Sequence, residues 1–319
     1  MKVICRKIIN GKFSAVKRLS FRRCGGARKK VRNIRNTMRN TTIILMMVFH
    51  LLLVKAQVQQ EMKLPLTNVY HHVGLAAIEI VDPYLSVLEY SGVGLRYEYT
   101  ADRFFNPENP VLSSKGRISG LAARTVNPRS TASVILMGAN ASWGVQYYYR
   151  KFEDILLLGG ANLEADFAYK MNSRNVNNPI NIDLAANLNL TLGGRYYIHT
   201  KRRTIQLNAG FEFPVMGCMF VPYPGFSYYE MYTTKEYMEA VHFSSLHNKQ
   251  GLKQFLSFDI PFKHSTWSFG IRKHDLKYKA DEQVYSYSEY AYSIGITYDM
   301  ISFSGRKVNV PEIFISPKK

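Results

Sequence analysis

The stretch Ile180–Leu192 reads INIDLAANLNLTL. Its even positions, Ile180, Ile182, Leu184, Ala186, Leu188, Leu190 and Leu192, are all apolar. Its odd positions, Asn181, Asp183, Ala185, Asn187, Asn189 and Thr191, are polar except Ala185. Successive side chains of a strand point to opposite sides, so extended chain here has one oily face and one wet face; helical winding would mix the two. The stretch reads as an amphipathic β-strand.

The same period of two runs through the chain on either side. Val93, Leu95, Tyr97 and Tyr99 alternate with Gly94, Arg96, Glu98 and Thr100. Trp143 to Tyr149, Leu163 to Tyr169, Ile205 to Phe213 and Tyr290 to Tyr298 repeat the pattern. Strands of soluble sandwiches average about 5–6 residues. Strands that cross a bilayer need about 9–11. Most of these segments are of the longer kind. Their polar faces carry charges (Glu164, Asp166, Asp183, Glu212), which suit a wet lumen. All 22 tyrosines lie after residue 56, several at the ends of apolar faces, where barrels place girdles of rings with polar tips. The expected fold is all-β: a transmembrane, antiparallel, up-and-down β-barrel of 10–12 strands. Ten segments stand out, near 92–101, 115–125, 133–150, 155–170, 180–192, 195–200, 204–213, 252–262, 265–273 and 284–303, and Val73–Tyr90 adds up to two more.

Gly193-Gly194 is either a turn or a kink, because the apolar parity continues to Tyr196 and Ile198. If it is a turn, Thr200–Arg203 and Lys263–Ser265 face the periplasm. The longer connections Asp102–Ser114 and Pro214–Gly251 then face outward together. Pro214–Gly251 is dense in aromatics (Phe220, Tyr223, Phe226, Tyr228, Tyr229, Tyr232), and Thr233-x-x-Glu236 has the form of a capping box for a short helix near 234–243. A connection this long is an ordered loop over or inside the barrel mouth, either binding or gating, or simply packed there.

Ahead of the strands lies a leader. Thr42–Val54, TIILMMVFHLLLV, is too short for a spanning helix and follows Arg39. It has the form of a signal-peptide core, with a cleavage point after Ala56. Of the 42 Lys/Arg, 15 lie in residues 1–56 and none of the 23 Asp/Glu do, leaving 27 bases against 23 acids beyond. The formal charge of +19 is therefore a property of the leader and implies no nucleic-acid partner. Translation from Met38 would give an ordinary signal peptide. The expected organisation is residues 1–56 as basic leader and signal peptide, 57–303 as outer-membrane β-barrel, and 304–319 as a basic tail. No other apolar run is long enough for a membrane helix.

Four stretches carry a resemblance: NSRNVNNP (Asn172–Pro179), PVMGCMF (Pro214–Phe220), FSYYEM (Phe226–Met231) and LKQFLS (Leu252–Ser257). They resemble a family of uncharacterised outer-membrane β-barrel proteins, a domain of unknown function found in Bacteroidetes. The resemblance implies an outer-membrane location, with outer-membrane lipid and the barrel-assembly machinery as partners. It transfers no catalytic or binding residue. Many barrels end on an aromatic strand residue, whereas this chain runs past Phe303 to Pro317-Lys318-Lys319.

Catalytic, cofactor and metal motifs are not found, and no site residue, cofactor or enzyme activity is assigned. There is no GxSxG, Walker loop, HExxH or Rossmann pattern. Cys218 is the one cysteine after the leader, so there is no disulfide or zinc pattern. His71 and His72 are adjacent and on a strand face opposite sides, and His242 and His247 are too poorly spaced to act together. Glu164 and Asp166 share a face two residues apart, as a glycosidase pair can, but also as a wet wall does. No Ser–His pair is evident. Three functional readings stay open: a narrow pore or structural barrel of unknown solute, a barrel enzyme acting on lipid or glycan, and a secreted soluble β-sandwich.

Overall fold

A computed structural model describes residues 64–150, 152–176, 178–223, 226–262, 265–280, 283–300 and 314–317. The leader, the cleavage point after Ala56, Met38 and Phe303 lie outside the described residues. The described chain is strand for almost its whole length: β1 (Leu64–Pro65), β2 (Thr67–Asp82), β3 (Ser86–Phe104), β4 (Leu112–Val126), β5 (Ser133–Arg150), β6 (Ile155–Asn172), β7 (Ile180–His199), β8 (Thr204–Phe220), β9 (Val241–Ser245), β10 (Lys249–Pro261), β11 (Thr266–Ala280), β12 (Gln283–Met300) and β13 (Phe314–Ile315), with one helix, α1 (Tyr228–Thr234).

Ten of these strands close a barrel. β2 to β8 pair in sequence, β8 pairs β10, and β10–β11–β12 returns to β2, antiparallel throughout. Following partners round the wall from Phe104 leads through Ser113, Gln146, Gly160, Thr191, Glu212, Lys253, His274, Glu289 and Ile78 back to Gly92 on β3. The stagger is therefore 104 − 92 = 12 residues. With a rise of about 3.3 Å per residue and about 4.8 Å between strands, that stagger tilts the strands by about 40°. It leaves roughly 20 Å between opposite backbones. Long side chains from facing walls can meet across such a space.

The alternation sorts side chains as expected, and the direction is decided. Val93, Leu95, Trp143, Leu163, Leu190, Leu192, Phe211, Phe269 and Ile294 stand on the outer wall and are exposed. The polar residues between them point inward and are buried. A soluble sandwich needs the opposite, so that reading falls. An exposed apolar belt is stable where lipid covers it.

Three expectations about the elements are corrected. Residues 180–192 and 195–200 form the single strand β7, because Gly193-Gly194 pair in register with β6 and β8. The count of ten is restored by β2, which overlaps Val73–Tyr90 but starts earlier, at Thr67. With no turn at Gly193-Gly194, sidedness changes: the connection after β3, shortened to residues 105–111, shares an end with Thr200–Arg203 and opposes the Pro214–Gly251 segment. Finally, the helix is Tyr228–Thr234 rather than 234–243, where a 3-10 turn, Glu236–Met238, and the start of β9 form. Its capping box is Ser227-x-x-Glu230: Ser227 Oγ accepts from Glu230 N at 3.2 Å, and Glu230 accepts from Ser227 N at 2.7 Å.

Candidate functional site

The lumen gathers the polar residues of the alternating strands, and contacts cross it at three levels. The waist holds four bases and four acids. Arg117 on β4 reaches across to β8, where its Nη1 and Nη2 donate to Glu212 Oε2 and Oε1 at 3.0 and 2.7 Å. Nη2 also donates to Glu164 Oε2 on β6 at 3.0 Å. Lys253 on β10 pairs with Glu164. Arg96 Nη1 donates to both Glu289 oxygens, at 3.0 and 3.1 Å, and Arg272 pairs with Glu98. Asn162 and Asn189 donate to Glu212 from the sides. The bidentate geometry and the low accessibility of both partners make these pairs structural members rather than surface decoration.

Beneath the lid end, Lys170 on β6, with no exposed surface, pairs with Asp82 on β2 and with Asp183. Above it the long connection is a lid. Tyr228 donates to Asn181 Oδ1 at 2.9 Å and accepts from Ile182 N at 2.7 Å, and Tyr84 donates to Phe226 O at 2.9 Å. Burial pushes the Tyr84 phenol up to about 12 and raises that of Tyr228, so both stay protonated donors. Met231 and Ala240 are buried, and Tyr228 packs on a cluster that includes Ile80, Tyr84, Met219, Tyr278 and Tyr285.

At the end opposite the lid, β13 pairs parallel to β1, and Ser316 and Pro317 after it reach the mouth. Ser316 donates to Asp299 at 2.7 Å, and the buried Arg195 donates to Pro317 O at 2.7 Å. Two cavities, of about 140 and 150 Å³, lie on either side of the waist.

The residues weighed for chemistry fall as follows. His71 is outside, bonded to Tyr97 and Tyr298 hydroxyls at 2.8 and 2.9 Å. His72 is inside, its ring lying over Gly295, where a Cβ would meet it at 1.9 Å. Glu164 is consumed by Arg117 and Lys253. Asp166 accepts from Asn140 and Asn187. Cys218 is exposed and free. Among the described residues, no group of three or more His, Cys, Asp or Glu is arranged to hold a metal. The structure adds one contact that sequence reading missed: Ser245 Oγ lies 2.5 Å from His247 Nδ1 in the exposed turn before β10. It is a local bond between residues two apart. No hydrogen bond to an acid orients the ring among the described residues.

A closed ten-stranded antiparallel barrel with an apolar outer wall and a charged interior is the architecture of outer-membrane β-barrels. Residues 42–307 match the family of proteins of unknown function DUF3316, and the chain belongs to that family. No curated protein matches it. Among solved structures it is similar to the outer membrane protease OmpT from Escherichia coli, at 7% identity over 76% of this chain and 99% of that one, with a TM-score of 0.43. It is also similar to the translocator domain of the autotransporter NalP from Neisseria meningitidis, at 7% identity over 82% and 97%, with a TM-score of 0.38. A third likeness is to the Neisserial surface protein A, at 12% identity over 73% and 97%, with a TM-score of 0.30.

The lid offers a direct check of its capping. Ser227→Ala removes the N-cap bond, worth about 1 kcal/mol. Protease cleavage within residues 221–240 is expected to speed up about fivefold, with the barrel's heat-dependent gel mobility unchanged. The Ser227 N–H and hydroxyl also hold the Glu230 carboxyl below its ordinary value. That support is present above the unfolded pKa and is lost as pH falls through the depressed one, so cleavage also quickens in acid. Equal cleavage rates in variant and parent would refute the capping role.

Proposed function

We propose that this chain is an outer-membrane β-barrel whose lumen is shut by its own side chains: a structural barrel or closed channel, not an enzyme and not an open pore. The observation that carries the reading is the fork from Arg117 to Glu212, which joins nearly opposite walls at the waist. An open pore needs a continuous wet path, and the waist network, the lid and the Ser316–Pro317 segment support the reading that this path is interrupted. The export steps belong to the same proposal: a start at Met38, signal removal after Ala56, insertion by the barrel-assembly machinery of a Bacteroidetes-type cell, and outer-membrane lipid as the permanent partner.

The purified protein is expected in the outer-membrane fraction, changing gel mobility on boiling, and in planar bilayers it should show no steady conductance. Stable ohmic conductance from the unmodified chain would overturn the closed lumen. Recovery as a soluble periplasmic protein would overturn the barrel in the membrane.

A further inference from the structure

The cavity between waist and lid has an uneven lining. Its upper wall is apolar, with Leu121, Leu136, Leu276 and Tyr278. The same lining also carries Asp166 and, beside Tyr278, Lys249. These two charges do not meet. Asn187 stands between them, donating to Asp166 at 2.9 Å and accepting from Lys249 at 2.8 Å. Neither makes an ion pair among the described residues, although buried charges ordinarily find one. Asp166 also accepts from Asn140, and a hydroxyl is the neutral group whose chemistry answers both charges, since it can accept from an ammonium and donate to a carboxylate. A cavity of about 140 Å³ matches the space that takes a single aromatic ring.

The β8–β10 hydrogen-bond ladder is interrupted beside this cavity. β8 pairs β10 only up to Glu212↔Lys253, and its next partner is β9, from Met216↔Ser245. Residues 213–215 have no ladder partner on that side. Pro214 has no N–H to offer, and the pairing of β7 with β8 skips Val215. The Pro214 ring fills the gap against Gly251, whose added Cβ would lie 3.0 Å from Pro214 Cγ. Both residues line the cavity. Exposed Phe211, Met216, Phe243 and Leu256 flank the outer side of this seam, so its outer face belongs to the apolar belt.

We propose that the upper lumen cavity binds a small alcohol or phenol of one ring or a short chain, entering from the bilayer through the seam between Pro214 and Gly251. The proposal rests on the barrel spanning a membrane. It goes beyond the closed-lumen reading in assigning a ligand class and a lateral route.

The test uses the full chain in detergent micelles with 4-fluorobenzyl alcohol, read by fluorine line width. The parent is expected to broaden the probe resonance. Leu136→Trp, which fills the cavity, is expected to reduce that excess at least fivefold, with Leu121→Phe as a milder second filling. Pro214→Cys with Gly251→Cys, in a Cys218→Ser background, staples the seam. Oxidation is expected to slow probe association at least tenfold, and reductant to restore it. Equal broadening by parent and filled variants, all still heat-modifiable, would mean partition into micelles and overturn the site. Association unaffected by the oxidised staple would overturn the route. A parent that shifts on heating without excess broadening defeats the site alone; one that does not shift defeats the barrel reading beneath it.

Discussion

Arg117→Ala is expected to destabilise the barrel by about 3–5 kcal/mol, the usual cost of removing one partner from a buried ion network. Arg117 donates two bonds to Glu212 and one to Glu164. Without it the two carboxylates share Lys253, which lies 3.5 Å from Glu212, and the amides of Asn162 and Asn189. A buried carboxylate without its cation either keeps an unpaired charge or takes up a proton, and both outcomes weaken the fold. Urea titration of the lipid-reconstituted protein, followed by the loss of the fast-migrating form on gels, reads the change as a lower midpoint. Arg117→Lys should recover part of the loss, since an ammonium supplies charge without the planar fork. Replacing Arg117, Glu164, Glu212 and Lys253 together by apolar residues of similar size should cost far less than the single change. A single variant within about 1 kcal/mol of the parent would show that the waist pairs are incidental to stability.

What the amino-acid sequence makes legible follows from the range of each rule. Alternation is a property of the backbone, so one segment such as Ile180–Leu192 reveals its two faces without knowledge of its neighbours. β2 is harder to see. Val73 and Leu75 face lipid, and Ala76, Ile78 and Ile80 face a lumen that is itself apolar near the lid, so both faces are oily and the period fades. Gly193-Gly194 carries the chemistry of a turn while the parity on either side of it runs on; the parity is the stronger signal, because a slip of one residue would turn every later side chain to the wrong face. The helix starts at the first of two capping boxes six residues apart: Ser227 directly follows Phe226, whose carbonyl accepts from Tyr84, so tertiary contact selects it. The lumen network is beyond sequence reading for another reason. Arg117 and Glu212 are 95 residues apart, and Arg96 and Glu289 are 193 apart. Their meeting depends on the 12-residue stagger, which is a property of the closed barrel and of no single segment.

Leu163→Arg should be the sharper test of the environment. Leu163 lies on β6 between Trp143 on β5 and Leu188 on β7, near the middle of the outer belt, and is 62% exposed. Its neighbour Glu164 points into the lumen and is buried. In a protein bathed by water, arginine at so exposed a position changes stability by no more than about 0.5 kcal/mol. In lipid at mid-depth the same substitution costs about 2–4 kcal/mol, because the guanidinium must be dragged into hydrocarbon or must snorkel to the interface. The expected result is a fall in unfolding midpoint of that size in vesicles. Leu163→Phe should leave it nearly unchanged, and an arginine at Ser91, above the apolar stretch of β3, should cost about 0–1 kcal/mol. The depth dependence is the discriminating feature, since steric damage to the wall would not grade with distance from the bilayer centre. A Leu163→Arg barrel as stable as its parent would mean that lipid does not cover this wall, whatever the strand pattern says.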